Sequence, residues 1–197
     1  MCFMDEETDN DFSAVELDSL PNRLITVPNI LTMLRILLLP FLVYALDIGR
    51  TRGYMLAIVI GSIMILTDIF DGIIARYFDQ YSRIGVILDP VFDKLIIITL
   101  AIYFAVKNQI PTWIAVIVVA RDITFLVFGA VMVMRKMAPK PIIWGRLYPL
   151  LWGITFLLLL VKLDALAWSL MIVAVVLGIF SAGAYYNKYR KTMERRK

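Results

Sequence analysis

The chain has 197 residues, of which 61% are hydrophobic, and its mean hydropathy of +0.82 exceeds that expected of a soluble domain. The formal net charge is +4. The chain has no histidine and only one cysteine, which excludes an internal disulfide and a zinc or thiol site. The composition therefore predicts a single all-α integral membrane domain, surrounded by membrane lipids and without a nucleic-acid partner.

The first twenty residues are acidic and differ from the rest of the chain. Seven of the 16 acidic residues lie in residues 5–18, and the segment lacks the basic start and apolar core of a signal peptide. We therefore expect residues 1–20 to form a mobile cytoplasmic tail. Residues 21–190 should form the membrane domain, and residues 191–197 a basic C-terminal tail.

Apolar runs of spanning length predict six transmembrane helices. Residues 21–27 mix basic and apolar side chains and are expected to lie at the membrane interface as a short N-terminal segment. Pro28 and Asn29 suit a helix start, and the apolar run from there to Leu46 has spanning length. Five further spans are predicted at residues 54–76, 85–106, 111–134, 142–161 and 165–187, and prolines lie at several of the joins between them.

Four aspartates stand out in residues 68–93, where the sequence reads DIFDGIIARYFDQYSRIGVILDPVFD. Charges at membrane depth are costly unless they are paired, hydrated or bound to a metal, so Asp68, Asp71, Asp89 and Asp93 indicate a functional site. The first two aspartates are three residues apart and the last two are four apart. Each pair should therefore share one face of a helix.

The polar residues between the two pairs predict a short turn, which makes the second and third helices antiparallel neighbours. At about 1.5 Å per residue, Asp68 and Asp93 would lie about 13 Å from this turn, and Asp71 and Asp89 about 8 Å. The four carboxylates are therefore expected to converge. Oxygen-only ligands suit hard cations such as Mg²⁺ or Mn²⁺, which also bind phosphate oxygens.

Small and basic residues follow the first aspartate pair. Gly72 would allow a ligand to approach the backbone, and the small side chain of Ala75 would leave space on the same helix face. Arg76 would offer a guanidinium to a phosphate. With the aspartates and Gly85, these residues resemble the signature of the CDP-alcohol phosphotransferases, integral membrane enzymes of phospholipid synthesis, in the pattern Asp68-x2-Asp71-Gly72-x2-Ala75-Arg76-x8-Gly85-x3-Asp89-x3-Asp93. The likeness in length and hydropathy extends over about residues 21–190.

The resemblance implies a metal-dependent transfer of a phosphatidyl group. An alcohol would attack the diacylglycerol-bearing phosphate of CDP-diacylglycerol, and CMP would leave. Two Mg²⁺ or Mn²⁺ ions would be held by Asp68, Asp71 and Asp89, with Asp93 as the base and as a further contact to the second ion.

The same resemblance assigns the nucleotide site and the assembly. Gly72, Ala75 and Arg76 would line the nucleotide and its pyrophosphate, and Gly85 would allow close helix approach. The family also implies a homodimer.

The start of the first span carries a further resemblance. The pattern Pro28-Asn29-x-Leu31-Thr32-x2-Arg35 is similar to that of the branch that holds phosphatidylglycerophosphate synthases and cardiolipin synthases. Arg35 is then a candidate contact of the acceptor alcohol. Alternatively, it is an ordinary helix residue whose side chain reaches the membrane surface.

The acceptor is expected to be a small phosphorylated alcohol, foremost sn-glycerol 3-phosphate. Its phosphate would be bound by Arg121, Lys140 and Arg146 as well as Arg35. A structural role remains the alternative for Arg121 and Asp122, as a pair that locks two helices, and a role as basic loop residues is the alternative for Lys140 and Arg146. The residues from Gly145 onwards read GRLYPLLW and lack the GKxKTxxQ-like segment usual in phosphatidylglycerophosphate synthases, which leaves phosphatidylglycerol, the acceptor of cardiolipin synthases, as the alternative.

Basic residues beyond the spans or near their ends predict the orientation. Thirteen would lie on one side of the membrane and four on the other, the four being Arg50, Arg52, Lys107 and Lys162. This asymmetry predicts that both termini and the aspartate cluster face the cytoplasm, in a bacterial inner membrane.

A divalent-cation transporter is the alternative from another functional class. Transport would need a polar path to the opposite face of the membrane. The outer halves of the predicted spans are almost free of ionisable residues. Metal-dependent flux into liposomes would separate transport from transferase activity.

Overall fold

In the computed structural model of the chain, the described residues form six helices, which confirms the predicted number and order of helices. The structure describes residues 15–16, 26–49, 51–77, 83–134, 137–138 and 143–194. The helices are α1 (Val27–Ile48), α2 (Thr51–Tyr77), α3 (Arg83–Val106), α4 (Thr112–Met134), α5 (Ile143–Leu160) and α6 (Asp164–Glu194).

Local chemistry explains the ends of α1. The hydroxyl of Thr26 accepts a hydrogen bond from the backbone N–H of Asn29, and Pro28 occupies the first turn, where its missing N–H has no helical partner. The helix ends at Gly49, whose φ of 64° is readily adopted only by glycine. The helix therefore begins at Val27, one residue before the predicted start. Residues 21–25 of the predicted interfacial segment lie outside the described residues.

A charged pair marks the turn between α3 and α4. The ammonium of Lys107 donates a hydrogen bond to Asp47 at the end of α1, with 2.9 Å between nitrogen and oxygen. This hydrogen bond raises the pKa of Lys107. Both side chains are well exposed, so the pair serves as a marker of this end of the bundle rather than as part of its core.

Four of the described helices, namely α1, α2, α4 and α6, are long and apolar enough to cross a membrane. Helix α3 has the length, but Asp89, Asp93 and Lys94 interrupt its apolar sequence. In α5 the apolar run is shorter and covers Leu147–Leu160. The fold is thus that of an all-α integral membrane protein.

Aromatic side chains from α3 and α5 form the centre of the bundle. The rings of Phe104 and Phe156 are stacked with centroids 5.2 Å apart, and Trp152 lies against Phe156 at the same separation. Ala57 and Ala101 are completely buried and allow neighbouring helices to approach closely. Apolar side chains also cover much of the outer surface, as expected for helices that face lipid.

Two short strands join the acidic tail to the segment between α4 and α5. The strand β1 (Val15–Glu16) pairs antiparallel with β2 (Met137–Ala138). This pairing was not predicted. The remainder of residues 1–20 lies outside the described residues, so the boundaries of the predicted tails stay predictions.

Candidate active site

Two polar residues of α1 face the interior of the bundle. Thr32 and Arg35 are three residues apart and therefore lie on one face of the helix, and their exposed fractions are only 1% and 4%. Arg35 does not reach the membrane surface, so the snorkelling alternative is wrong. A buried guanidinium in an apolar helix requires anionic partners.

Arg35 connects the first three helices through two aspartates. Its Nη1 atom donates to an oxygen of Asp68 on α2 and to Oδ1 of Asp93 on α3, the latter at 2.8 Å. Asp68 and Asp93 therefore lie at the same level in the bundle, as their distances from the α2–α3 turn predicted. Two carboxylate oxygens from different helices converge on one cationic nitrogen.

Thr32 extends this network to the third aspartate. Its hydroxyl donates to Oδ1 of Asp89 at 2.6 Å and accepts a longer hydrogen bond, of 3.4 Å, from Nη2 of Arg35. The sequence analysis assigned no role to Thr32. The sequence signal that could have identified Thr32 is its position three residues before Arg35 in the motif at the start of α1, which places both on one face of a helix.

The other predicted site residues are described only in part. Asp71, Gly72, Ala75 and Arg76 lie in the last turns of α2, but their side chains are outside the described part of the structure. Gly85 is buried in the first turn of α3.

The two predicted cations before and within α5 are described even less. Lys140 lies outside the described residues, and Arg146 lies in α5 with an undescribed side chain.

The described carboxylates fit a divalent metal by donor type and partly by position. Asp68 and Asp93 already direct oxygens to one positive centre, and oxygen ligands suit Mg²⁺ or Mn²⁺. Within the described ranges, no three Asp, Glu, His or Cys side chains are grouped closely enough to hold a metal. Asp71, the fourth predicted ligand, is not among the described side chains.

A largely apolar cavity extends from the carboxylates into the bundle. Arg35, Asp68 and Asp93 form its polar end, and α1, α2, α3 and α5 form its apolar walls. On α3 the lining continues from Asp93 to Phe104, about 16 Å along the helix. The cavity thus combines a charged end with a long apolar wall, which suits an amphiphilic molecule.

Arg121 lies in a second polar cluster, which connects α4, α5 and α6. Its Nη1 donates to Asp122 at 2.6 Å and its Nη2 donates to Ser181 at 2.8 Å. The guanidinium also lies 3.8 Å from the centre of the Tyr148 ring. Asp122 is completely buried. These contacts match the structural alternative for the Arg121–Asp122 pair, and both terminal nitrogens of Arg121 are engaged.

Lys94 is a buried cation that the sequence analysis did not single out. Its exposed fraction is 6%, and its ammonium lies 4.3 Å from the centre of the Phe125 ring of α4. It directly follows Asp93 on α3. The signal that could have found it is a lysine within an otherwise apolar run.

Comparisons with known proteins agree on one family. The model of the CDP-alcohol phosphatidyltransferase family matches residues 25–180. A putative cardiolipin synthase of Mycobacterium tuberculosis is 34% identical over 125 residues, which cover 64% of this chain and 54% of the relative. A CDP-diacylglycerol--glycerol-3-phosphate 3-phosphatidyltransferase of Aquifex aeolicus is 33% identical over 122 residues, which cover 61% of this chain and 67% of the relative.

A third relative is a probable CMP-forming cardiolipin synthase of Drosophila melanogaster, 37% identical over 128 residues, which cover 64% of this chain and 38% of the relative. The chain spans about half the length of the mycobacterial relative that it matches.

Proposed function

Because this chain belongs to the CDP-alcohol phosphatidyltransferase family, we propose that it transfers a phosphatidyl group from CDP-diacylglycerol to an alcohol and releases CMP. Members of the family use a CDP-alcohol and an alcohol acceptor in a lipid environment, and they generally depend on divalent metal ions. Their chemistry requires a site that binds phosphates and accepts a proton at the membrane.

One observation carries the proposal. Asp68 and Asp93, from two different helices, share the guanidinium of Arg35, and Asp89 joins them through Thr32. Such a cluster of carboxylates at the polar end of an apolar cavity suits a substrate with a charged head and acyl chains. A protein that only needed a stable bundle would be expected to avoid three acids there.

We assign the metal site to Asp68, Asp71, Asp89 and Asp93. Two Mg²⁺ or Mn²⁺ ions, when bound there, would neutralise charge on the pyrophosphate of CDP-diacylglycerol. Thr32 would orient the carboxylate of Asp89 for this task.

The remaining motif residues would bind the nucleotide. Gly72 and Ala75 would leave room for it, Arg76 would contact the pyrophosphate, and Gly85 would bring α3 close to α2.

Asp93 is the proposed base. Its carboxylate would accept the proton of the acceptor hydroxyl, while the hydroxyl oxygen forms a bond to the diacylglycerol-bearing phosphorus. The anhydride bond between that phosphorus and the bridging oxygen then breaks, and CMP leaves with the bonding electrons. The apolar walls of the cavity would exclude water, which competes with the alcohol as nucleophile.

The preferred acceptor is sn-glycerol 3-phosphate, bound through some of the cations Arg35, Arg121, Lys140 and Arg146. The similarity to the Aquifex aeolicus protein supports this choice. Phosphatidylglycerol is the second candidate, because other relatives are named cardiolipin synthases. Both acceptors carry a terminal hydroxyl and a phosphate at opposite ends of one glycerol unit.

We further propose that the aspartate site faces the cytoplasm of a bacterial inner membrane and that the protein is a homodimer. The distribution of basic residues supports the orientation. The proposed homodimer rests on the family alone.

The test is a transfer assay with the full-length protein in detergent or nanodiscs. CDP-diacylglycerol, Mg²⁺ and each acceptor in turn are supplied, and CMP and the lipid product are quantified. We expect CMP release only when metal is present. CMP release should be almost completely lost in D68N, D71N, D89N and D93N, and each of these variants should still fold and show a cooperative melting transition. Full activity of D89N, or no CMP release with any acceptor, would contradict the proposal.

A further inference from the structure

Lys94 points away from the aspartate network. It neighbours Asp93 on α3, but consecutive residues of a helix are about 100° apart around its axis. Asp93 turns to Arg35 of α1, and the ammonium of Lys94 turns to the Phe125 ring of α4. A single turn of α3 therefore presents a carboxylate on one side and a buried cation on the adjacent side.

The ammonium of Lys94 has hydrogen-bond donors that no described residue accepts. An ammonium has three N–H donors. Among the described residues, Lys94 forms no hydrogen bond and no ion pair within 4 Å, and its close contact is the face of Phe125. An aromatic face attracts a cation but leaves the donors on the far side open. A buried cation with open donors needs an acceptor, whether an anion or water.

Among the described residues, neither neighbouring aspartate forms an ion pair with Lys94, although Oδ2 of Asp122 is buried there without a hydrogen-bond partner. Asp93 precedes Lys94 on α3, and Asp122 lies on α4, the helix that carries Phe125. Asp93 is ion-paired with Arg35 at 2.8 Å, and Asp122 is ion-paired with Arg121 at 2.6 Å. Arg121 itself donates to two partners. Arg121 is held by these two partners through its terminal nitrogens and keeps only its buried Nε–H without a partner, whereas no described residue accepts a hydrogen bond from the ammonium of Lys94.

We propose that Lys94 binds the phosphate of the acceptor substrate. This inference rests on the proposed function, since it takes Asp93 as the base that contacts the acceptor hydroxyl. A glycerol phosphate carries a hydroxyl and a phosphate at opposite ends of three carbons. The adjacent positions of Asp93 and Lys94 on α3 would hold these two groups at once and direct the hydroxyl toward the base.

The recognised chemistry is a glycerol phosphate, which can come from two sources. It is a free phosphate monoester in sn-glycerol 3-phosphate and a phosphodiester in the headgroup of phosphatidylglycerol. Both present oxygen acceptors to an ammonium, so Lys94 serves whichever acceptor the enzyme uses, and the experiment supplies the two separately.

The test compares wild-type protein with K94M, which keeps the length of the side chain and removes the charge, and with K94R, which keeps the charge. The matched control is K107M, which removes an exposed lysine at the α3–α4 turn. The full-length variants are assayed with each acceptor. The shift in melting temperature caused by sn-glycerol 3-phosphate, and by phosphatidylglycerol in nanodiscs, gives a readout independent of catalysis.

For the acceptor that the wild type uses, we expect K94M to raise the Michaelis constant by about ten- to a hundredfold, with that for CDP-diacylglycerol changed less than about twofold. K94M should also lose the acceptor-induced shift in melting temperature. K94R should recover part of both effects, and K107M should behave like the wild type. If K94M does not fold, the comparison of K94R and K94Q decides, since only the charged variant should retain acceptor binding.

An unchanged acceptor Michaelis constant and thermal shift in K94M would overturn the assignment. The assignment would also be overturned if K94M lowered the melting temperature of the ligand-free protein without changing its affinity for the acceptor. Lys94 would then be a structural residue whose N–H donors bind water. If the wild type releases no CMP with any acceptor but binds sn-glycerol 3-phosphate in a way that depends on Lys94, the proposed reaction is refuted and the anion site at Lys94 is supported. CMP release with an uncharged alcohol alone would keep the reaction and refute the site.

Discussion

At the scale of single residues, the site depends on side chains of α1 that orient the aspartates of α2 and α3. Thr32 is the simplest of these to test, because valine has nearly the same shape without the hydroxyl. In T32V, Asp89 loses a hydrogen bond of 2.6 Å. Hydrogen bonds to charged groups contribute about 1.5–3 kcal/mol, so we expect the Mg²⁺ concentration for half-maximal CMP release to rise by about ten- to a hundredfold.

The control is T99V, since the hydroxyl of Thr99 only donates to the carbonyl of Leu95 in its own helix. That variant should keep the wild-type Mg²⁺ requirement. An equal Mg²⁺ requirement in T32V and the wild type would show that Thr32 does not orient a metal ligand.

Arg121 should affect stability more than acceptor affinity. Replacing it by methionine removes the hydrogen bonds to Asp122 and Ser181 and leaves Asp122 buried without its guanidinium. Breaking a buried ion pair by removing one partner costs about 3–5 kcal/mol, so the melting temperature of R121M should fall markedly in detergent. K107M, which breaks an exposed pair, should melt close to the wild type. A stable R121M with a raised acceptor Michaelis constant would instead support the predicted role in acceptor binding.

At the scale of helices, the contact of α5 with α6 depends on the absence of a side chain at Gly178. A Cβ atom there would lie 2.8 Å from the ring of Tyr148, which packs on Arg121. G178A should therefore displace this ring and destabilise the protein by about 1–3 kcal/mol, measured as a lower melting temperature.

Gly183 on the same helix provides the comparison. Nothing lies within 4 Å of the position of its Cβ, so G183A should be neutral or slightly stabilising. Equal melting temperatures for G178A and G183A would show that Tyr148 can move aside without cost.

At the scale of the whole molecule, the orientation of the bundle decides which compartment supplies the substrates. Thirteen basic residues beyond the spans or near their ends on one side, against four on the other, predict a cytoplasmic C-terminus. A reporter fused after Lys197 should read as cytoplasmic, and one inserted next to Lys107 as external. The reverse pattern would place the aspartates on the external side and refute the proposed access from the cytoplasm.

The amino-acid sequence alone was sufficient to predict the fold class, the six helices and the level at which Asp68 and Asp93 meet. Backbone groups in a membrane must be hydrogen-bonded within the protein, so long apolar runs become helices. The fixed rise of a helix then converts residue numbers into depths. Most helix ends were predicted to within three residues, because proline, glycine and threonine determine them locally, but α6 continues to Glu194, past the predicted end at residue 187.

Only the tertiary structure decided which polar side chains face one another. Arg35 binds two aspartates 33 and 58 residues away, Arg121 binds Asp122 and Ser181 instead of the aspartate cluster, and Lys94 lies against Phe125. These pairings depend on how each helix is rotated about its axis against its neighbours. That rotation is determined by side-chain packing between residues far apart in the chain, which the spacing of residues along one helix does not determine.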